Sequence, residues 1–336
     1  MKIGLTYDLR SDYLKAGYSE IETAEFDRDD TVQSIENVLK KLGYDTDRIG
    51  NSWKLVERLA GGHRWDLVFN IAEGLYGIGR EAQVPAILDA YNIPYTFSDP
   101  LVMSLTLHKG MTKRVIRDAG IPTTDFFVYE KWGDEEQGTF LPPFFIKPVA
   151  EGTGKGVNPD SIIHHTHELG PACEALLLEY GQPVLVERYL SGREFTVGIL
   201  GTGMNAKILG TMEVLLLAGA EKGVYSYVNK ERSEDLVEYR PMNAANDSIV
   251  KKSEEIALSS WRVLGCRDAG RVDIRCDREG QPFFMEVNPL AGLHPDHSDL
   301  PIICKQINMD YKHLIKEILD SAKTRVAKKS AQKGEG

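Results

Sequence analysis

Apolar positions recur along this chain in two rhythms. A short apolar run, KIGLTYD (2–8), predicts a buried strand. In DDTVQSIENVLKKLGYD, Val32, Ile35, Val38, Leu39 and Leu42 fall at helical spacing, and Gly43 stops the pattern. RWDLVFNI predicts the next strand, and GREAQVPAILDAYNIP (79–94) a loop entering a helix that ends before Pro94. Strands alternating with helices predict a parallel α/β domain over residues 1–100.

Beyond Leu101 the rhythm changes. LTLHKGMTKRVIRDAGIPTTDFFVY predicts a helix closed by Gly120 and Pro122, then a strand. PPFFIKPV predicts another strand, and PVLVERYLSGREFTVGILG two strands with a tight bend between them. A flexible stretch (219–235) precedes a helix in SIVKKSEEIALSSWRVLG, and DYKHLIKEILDSAKTR closes the fold. The lysine-rich end, VAKKSAQKGEG, predicts a disordered tail over 323–336. The expected divisions are 101–184 for a central unit and 185–322 for a C-terminal one.

The period-two signal is clearest in RVDIRCDREGQPFFMEVNP (271–289). Arg271, Asp273 and Arg275 share one face, and Val272, Ile274 and Cys276 the other. After a turn at Glu279-Gly280, Phe284, Glu286 and Asn288 share a face, opposed by Phe283, Met285 and Val287. This register sets Asp273 across from Glu286 and Arg271 across from Asn288. Facing carboxylates repel, so the arrangement needs a cation.

Composition narrows the function. The chain has 336 residues, 42% hydrophobic and 27% charged, which is ordinary for a globular protein of two or three domains. A net charge of −10 disfavours nucleic acid as a partner. No apolar run approaches the roughly 20 residues of a membrane span. MKIGLTYDLR lacks the pattern of a secretory signal, and Cys173, Cys266, Cys276 and Cys304 have no metal or CxxC spacing. The expectation is a cytoplasmic protein with free thiols.

Three stretches carry candidate chemistry. In FFIKPVAEGTGKGV (144–157), Gly152, Gly154 and Gly156 let successive N–H groups face an anion, and Lys147 adds a point charge. It fits neither a Walker A loop nor a dinucleotide fingerprint, and alone it reads as a flexible hairpin loop. Asp273, Glu286 and Asn288 form an oxygen set suited to a hard divalent cation; a surface ion-pair network with Arg271 and Arg275 is the alternative. In VLVERYLSGREFTVG, an adenine slot at the bend with a nearby carboxylate for ribose competes with plain solvent-facing glutamates at Glu187 and Glu194. His164, His165 and His167 have no companion cysteines and read as a solvated loop or helix start.

Taken in order, these pieces resemble the ATP-grasp superfamily, and within it the D-alanine–D-alanine ligase family, from about Trp65 to Leu319. The resemblance implies an ATP-grasp fold, mixing α/β and α+β parts, behind an N-terminal parallel α/β (preATP-grasp) domain. HKGMTK matches the first ATP lysine at Lys109. FIKPVAEGTGKGV matches the second, Lys147, and the phosphate loop Glu151, Gly152, Thr153 and Gly154. VLVERYLSGREFTV matches the adenine hinge Glu187, Arg188, Tyr189 and Leu190 and the ribose carboxylate Glu194. VYSYVNK resembles the loop that closes over ATP, with Tyr225 and with Lys230 at its phosphate-contacting lysine. The Arg-x-Asp and Glu-x-Asn motifs make Asp273, Glu286 and Asn288 ligands of Mg²⁺, or Mn²⁺ in its place. Arg271 and the Gly292 N–H fall where the family stabilises the oxyanion, and His297-Ser298 where its serine binds the acceptor carboxylate.

The family's N-terminal donor signature is missing, with Glu25 or Asp27 as candidates for its amino-binding glutamate, and its His-Gly pair is replaced by NIAEG. The implied activity is ATP-dependent ligation of small amino acids through an acyl phosphate. Alternatives are an ATP-grasp amino-acid or peptide ligase with a donor other than D-alanine, a kinase-like phosphotransferase, and a non-catalytic nucleotide-binding scaffold. The implied partners are small amino acids, with neither nucleic acid nor membrane, and a homodimer is what the family suggests.

Overall fold

The computed structural model describes residues 1–134 and 138–334, the side chains of 328–334 excepted. Its N-terminal part holds β1 (Lys2–Tyr7), α1 (Arg10–Lys15), α2 (Asp29–Lys41), β2 (Asp45–Gly50), α3 (Ser52–Ala60), β3 (Leu67–Ile71) and α4 (Gln83–Ala90). The strands form a parallel sheet in the order β2-β1-β3, as the alternating pattern predicts. The stripe Val32, Ile35, Leu39 of α2 packs on Ile3 and Leu5, and Gly43 takes the left-handed conformation that ends the run.

Residues 79–118 do not form one continuous helical surface. α5 (Pro100–Leu107) and α6 (Lys109–Asp118) are separate helices, where the apolar pattern predicts one. The break is at His108, which leaves helical geometry (ψ 88) while its ring Nδ1 accepts the Met111 N–H at 3.2 Å. Lys109 thereby becomes the first residue of a new helix.

Two antiparallel sheets follow. β4 (Phe126–Tyr129), β5 (Phe144–Pro148), β6 (Ile162–Ile163) and β7 (Val184–Arg188) assemble in the order β4-β7-β5-β6, covered by α7 (Thr166–Tyr180). His164, His165 and His167 are exposed at the start of α7, as expected of a helix entry. The larger sheet contains β8 (Glu194–Leu200), β9 (Lys207–Leu216), β10 (Val237–Met242), β11 (Ala269–Cys276) and β12 (Pro282–Asn288), in the order β10-β9-β8-β11-β12. The stretch 219–235 carries α8 (Tyr227–Glu231) and the start of α9 (Ser233–Leu236), so it is locally ordered rather than loose. α10 (Ser248–Val263) buries Trp261 against the larger sheet, and α11 (Asp299–Gln306) packs Ile303 near Gly198 and Gly210.

The β11–β12 hairpin pairs Asp273 with Glu286 and Arg271 with Asn288, but it contains a bulge. Ile274 pairs with Phe284, leaving Met285 as the extra residue. Phe284 therefore turns into the core beside Ile274 and Val287 instead of sharing a face with Glu286, and Met285 lines the cleft.

α12 (Tyr311–Gly334) corrects the expectation of a disordered 323–336: it continues helical to Gly334, and 335–336 lie outside the described residues. Its reach has a physical cause. Asp268 is fully buried and accepts from Phe97 N–H at 2.8 Å, Ser321 Oγ at 2.8 Å and Arg325 at 2.5 Å. Arg325 thus ties the late part of the helix to both the N-terminal and the larger-sheet regions, and Lys323 reaches the Tyr44 hydroxyl at 3.0 Å.

Candidate active site

A cleft between the two antiparallel sheets gathers Lys109, Lys147, Glu194, Lys230, Asp273 and Glu286. β5 is buried at every position, so Lys147 can lie there only with compensating charge. Its Nζ stands 3.4 Å from Glu187 and 3.3 Å from Glu286. Burial lowers its pKa, but the two carboxylates outweigh burial and raise it. Lys109 enters from the start of α6, its Nζ donating to the Glu151 carbonyl at 2.5 Å. Burial pulls its pKa down, opposed by Glu286 and aided by Lys147.

Glu187 is fully buried, and its carboxylate turns inward to Lys113 at 2.5 Å as well as to Lys147. Burial alone would raise its pKa; the two ammonium groups hold it below the usual range. The hinge that follows is held by backbone bonds, Arg188 N–H to Asp125 O at 3.0 Å and Tyr189 N–H to Pro143 O at 2.9 Å. Leu190 is buried, while Glu194 opens β8 directly opposite Arg275 of β11.

The glycine-rich loop turns through left-handed backbone at Thr153 (φ 49), Gly154 (φ 77) and Gly156 (φ 74). A Cβ on Gly154 would meet the Tyr227 backbone nitrogen at 2.9 Å, so the loop carrying Lys230 rests directly on it. Glu151 is held by Lys155 at 2.5 Å and by Gln182 at 2.7 Å. Glu25 reaches this loop from the N-terminal part. It accepts the Gly152 N–H at 2.6 Å and Arg80 at 2.7 Å, with Lys155 at 3.3 Å. Burial opposes its ionisation, yet Arg80 and Lys155 bring its pKa down to about 2.

Asp273 and Glu286 face each other across the hairpin, with Asn288 two pairs further along beside Arg271. The Asn288 amide nitrogen is buried without a hydrogen-bond partner. Burial raises the Asp273 pKa, Arg271 lowers it and Glu286 raises it again. Burial also acts to raise Glu286, but Lys147, Lys109 and Lys230 hold it well below the carboxylate range. Two carboxylates and an amide oxygen, all hard donors, fit a divalent cation, and such an ion would relieve the repulsion between the acids. Arg271 is clamped between Asp273 and Asp299, the latter at 3.0 Å.

Near Arg271, Gly292 lies so close to Ser298 that a Cβ would meet its Oγ at 2.8 Å. Ser298 Oγ accepts the His294 N–H at 2.9 Å, and His297 stacks on His294 and points outward to Glu234. Tyr225 shares a 2.6 Å hydrogen bond with Tyr239 and carries Lys230 over its ring at 4.8 Å.

In the N-terminal part, around Glu25 and Arg80, carboxylates accumulate. Asp8 accepts from Tyr13 and from the Gly74 N–H, and burial raises its pKa. Burial, then Asp8 and Asp30, push Asp27 up to about 8. Burial, then Glu81, Glu25 and Asp27, raise Glu73, and burial raises Glu81 to about 7 against the pull of Arg80.

A family model described as D-ala D-ala ligase C-terminus matches residues 115–320. The D-alanine–D-alanine ligase of Aquifex aeolicus is 32% identical over 292 residues, covering 86% of this chain and 93% of that protein. This chain belongs to the D-ala D-ala ligase family. An uncharacterized protein, y4sG of Sinorhizobium fredii, is 34% identical over 264 residues, covering 77% of this chain and 75% of the relative. The ATP-complexed structure of D-alanine–D-alanine ligase from Bacillus anthracis superposes with a TM-score of 0.73 at 22% identity, covering 98% and 99% of the two chains. The fold is therefore ATP-grasp, and the chain is an ATP-dependent C–N ligase of the D-alanine–D-alanine ligase type acting on small molecules. Among the described residues no helix is long and apolar enough to cross a membrane.

Within this ligase, sequence reasoning missed Lys113, Arg80 and Lys155, and met Arg275 only as a surface ion-pair alternative to a bound cation. Lys113 sits one helical turn after Lys109 on the same face, and like charges at that spacing repel on an exposed helix, which was a usable signal. Arg80 lies at a helix start, where the dipole disfavours a cation, and donates to the Ala150 carbonyl at 2.8 Å.

Proposed function

We propose that this ligase joins two small amino acids, activating the carboxylate of the first as an acyl phosphate at the expense of ATP. The arrangement that carries the reading is the run of cations Lys109, Lys147 and Lys230 converging on the facing pair Asp273 and Glu286. Phosphoryl transfer passes through spread negative charge, which positioned cations stabilise without covalent help from the protein. Asp273, Glu286 and Asn288 would hold Mg²⁺, or Mn²⁺, which supplies charge neutralisation at the phosphate oxygens. Lys147, held protonated between two carboxylates, meets the phosphates, and the Glu151–Gly154 loop presents backbone N–H groups to them. The hinge Glu187–Leu190 borders the adenine and Glu194 takes ribose hydroxyls.

For the second half-reaction, Arg271 and the Gly292 N–H support the oxyanion formed when an amine attacks the acyl phosphate. Ser298, against Gly292, receives the acceptor carboxylate, with His297 beside it. The loop bearing Tyr225 and Lys230 excludes water, since hydrolysis of the acyl phosphate is the competing reaction. Glu25 is engaged by Arg80, Lys155 and Gly152, so the donor ammonium falls to Asp27 and Glu73, whose charged forms burial disfavours until a cation arrives. That acid group, where the family carries a different signature, favours a donor other than D-alanine as the second reading. A cytoplasmic homodimer belongs to the same proposal.

The test is ADP release with Mg²⁺-ATP across D- and L-amino acids offered singly and in pairs, with mass spectrometry of the product. A dipeptide from D-alanine alone assigns the family's own substrates; release only with another pair assigns a re-aimed donor site. ADP release independent of any amine, with accumulation of a phosphorylated acid, overturns ligation.

A further inference from the structure

Arg275 stands on the site face of β11 with Arg271 and Asp273, yet neither the metal set nor the oxyanion region uses it. Its guanidinium makes three contacts at once. One arm meets Glu194 at 3.3 Å, directly across the strand pair, and another donates to the Gly223 carbonyl at 2.9 Å. The plane lies over the Tyr189 ring, 5.3 Å from its centroid. Tyr189 in turn donates its hydroxyl to the same Gly223 carbonyl at 2.8 Å. Gly223 adopts φ 81, and a Cβ there would meet the Tyr189 hydroxyl at 3.1 Å, so the approach depends on glycine.

Gly223 belongs to a loop tied together by its own hydrogen bonds. The fully buried Asn229 donates to the carbonyls of Glu221 at 3.0 Å and Val224 at 2.9 Å and accepts the Glu221 N–H at 3.0 Å. Ser226 caps α8, which carries Lys230. What holds Gly223 therefore holds Lys230.

We propose that Arg275 is a positioning residue that couples ribose recognition at Glu194 to closure of the Lys230 loop, with Tyr189 as its partner on the Gly223 carbonyl. This rests on Glu194 being the ribose carboxylate. A guanidinium is a planar fork with fixed donor directions, so one arm cannot follow Glu194 without moving the other. A nucleotide that fixes Glu194 through its hydroxyls fixes the fork, and the fork fixes Gly223. An aliphatic or lysine side chain cannot relay this, because neither presents two rigid donors.

The loop reports its own state, since Lys222 is exposed beside Gly223 and is a trypsin site. The experiment follows tryptic cleavage after Lys222 in the full chain, with and without a saturating, non-hydrolysable Mg²⁺-ATP analogue and its 3′-deoxy form. In the wild type the analogue protects the bond, and the 3′-deoxy form protects less. R275M and R275K are expected to lose protection, cleaving about tenfold faster at saturation, as loss of a charged hydrogen bond implies. Y189F, which leaves Glu194 and Arg275 intact, is expected to show an intermediate loss. With donor present and acceptor absent, R275M and R275K are also expected to release ADP faster than the wild type, as water enters. Wild-type protection in R275M and R275K at saturation overturns the coupling, and unchanged thermal melting excludes misfolding as the cause of any loss. Equal protection of the wild type by both nucleotides overturns the ribose reading of Glu194 instead, whatever the variants do.

Discussion

Replacing Glu25 by Gln removes one charge and little else, because the amide oxygen can still accept the Gly152 N–H now held at 2.6 Å. What it removes is the attraction to Arg80 at 2.7 Å and Lys155 at 3.3 Å, in a side chain only 9% exposed. The size follows from the carboxyl itself, whose pKa drops from its ordinary 4.5 to about 2, with burial opposing and Arg80 and Lys155 prevailing. At 1.36 kcal/mol per unit, that displacement corresponds to about 3 kcal/mol of folding stability near neutral pH. The sign is that of a depressed acid. The contribution is fully present above pH 4.5, where the unfolded carboxyl is also ionised, and is lost as pH falls from there toward 2.

Urea unfolding of wild type and E25Q at pH 7 and pH 3 measures this directly. The expected difference is about 3 kcal/mol at pH 7 and less than half of that at pH 3. A difference under about 1 kcal/mol at pH 7 would mean that water screens the cluster and that the ion pairs are worth no more than surface ones. A large difference that ignores pH would assign the effect to packing. Either result refutes the view that charge carries the junction between the N-terminal part and the glycine-rich loop.

Four further outcomes follow from the same geometry. D273A is expected to lose about 10²- to 10³-fold in ADP release while melting near the wild-type temperature, since it also removes the repulsion with Glu286; loss of the fold in a melting scan would count against it. K113M leaves the buried Glu187 with Lys147 alone, 3.4 Å away, and should cost about 3 kcal/mol in urea unfolding, much of it recovered in K113M/E187M. G154A places a Cβ 2.9 Å from the Tyr227 nitrogen at φ 77, so kcat should fall more than nucleotide affinity, as stopped-flow binding beside steady-state rates will show. Asp27, at about 8, is protonated in the free enzyme near pH 7, and an arriving ammonium favours its charged form. Donor binding should then release a proton, read as buffer-dependent heat in calorimetry; heats independent of buffer would place the ammonium elsewhere.

What could be read from the chain alone divides along a physical line. Backbone chemistry is local, so the glycine-rich loop, the Glu187–Glu194 bend and the register of Asp273 against Glu286 were all legible from spacing. Where apolar residues are interchangeable, spacing lost its grip. Phe283, Phe284 and Met285 carry no polar marker, so nothing in the string says which of them is the bulge, and strict alternation puts Phe284 on the wrong face. The helix break at His108 was hidden for a similar reason, because the stop is made by an imidazole folding back on Met111 while the pattern of LTLHKGMTK runs on. Charges failed in a third way. Lys113, Arg80 and Arg275 look like surface residues until Glu187, Glu25 and Glu194 arrive from distant parts of the chain to pair with them. A charge that lies in a crowded site is identified by its partners, and those partners are a property of the fold. The facing acids of the hairpin and the glycine-rich loop are built from neighbours in sequence, whereas the cations that pair with them are recruited across the sheets, so the second group becomes visible only in three dimensions.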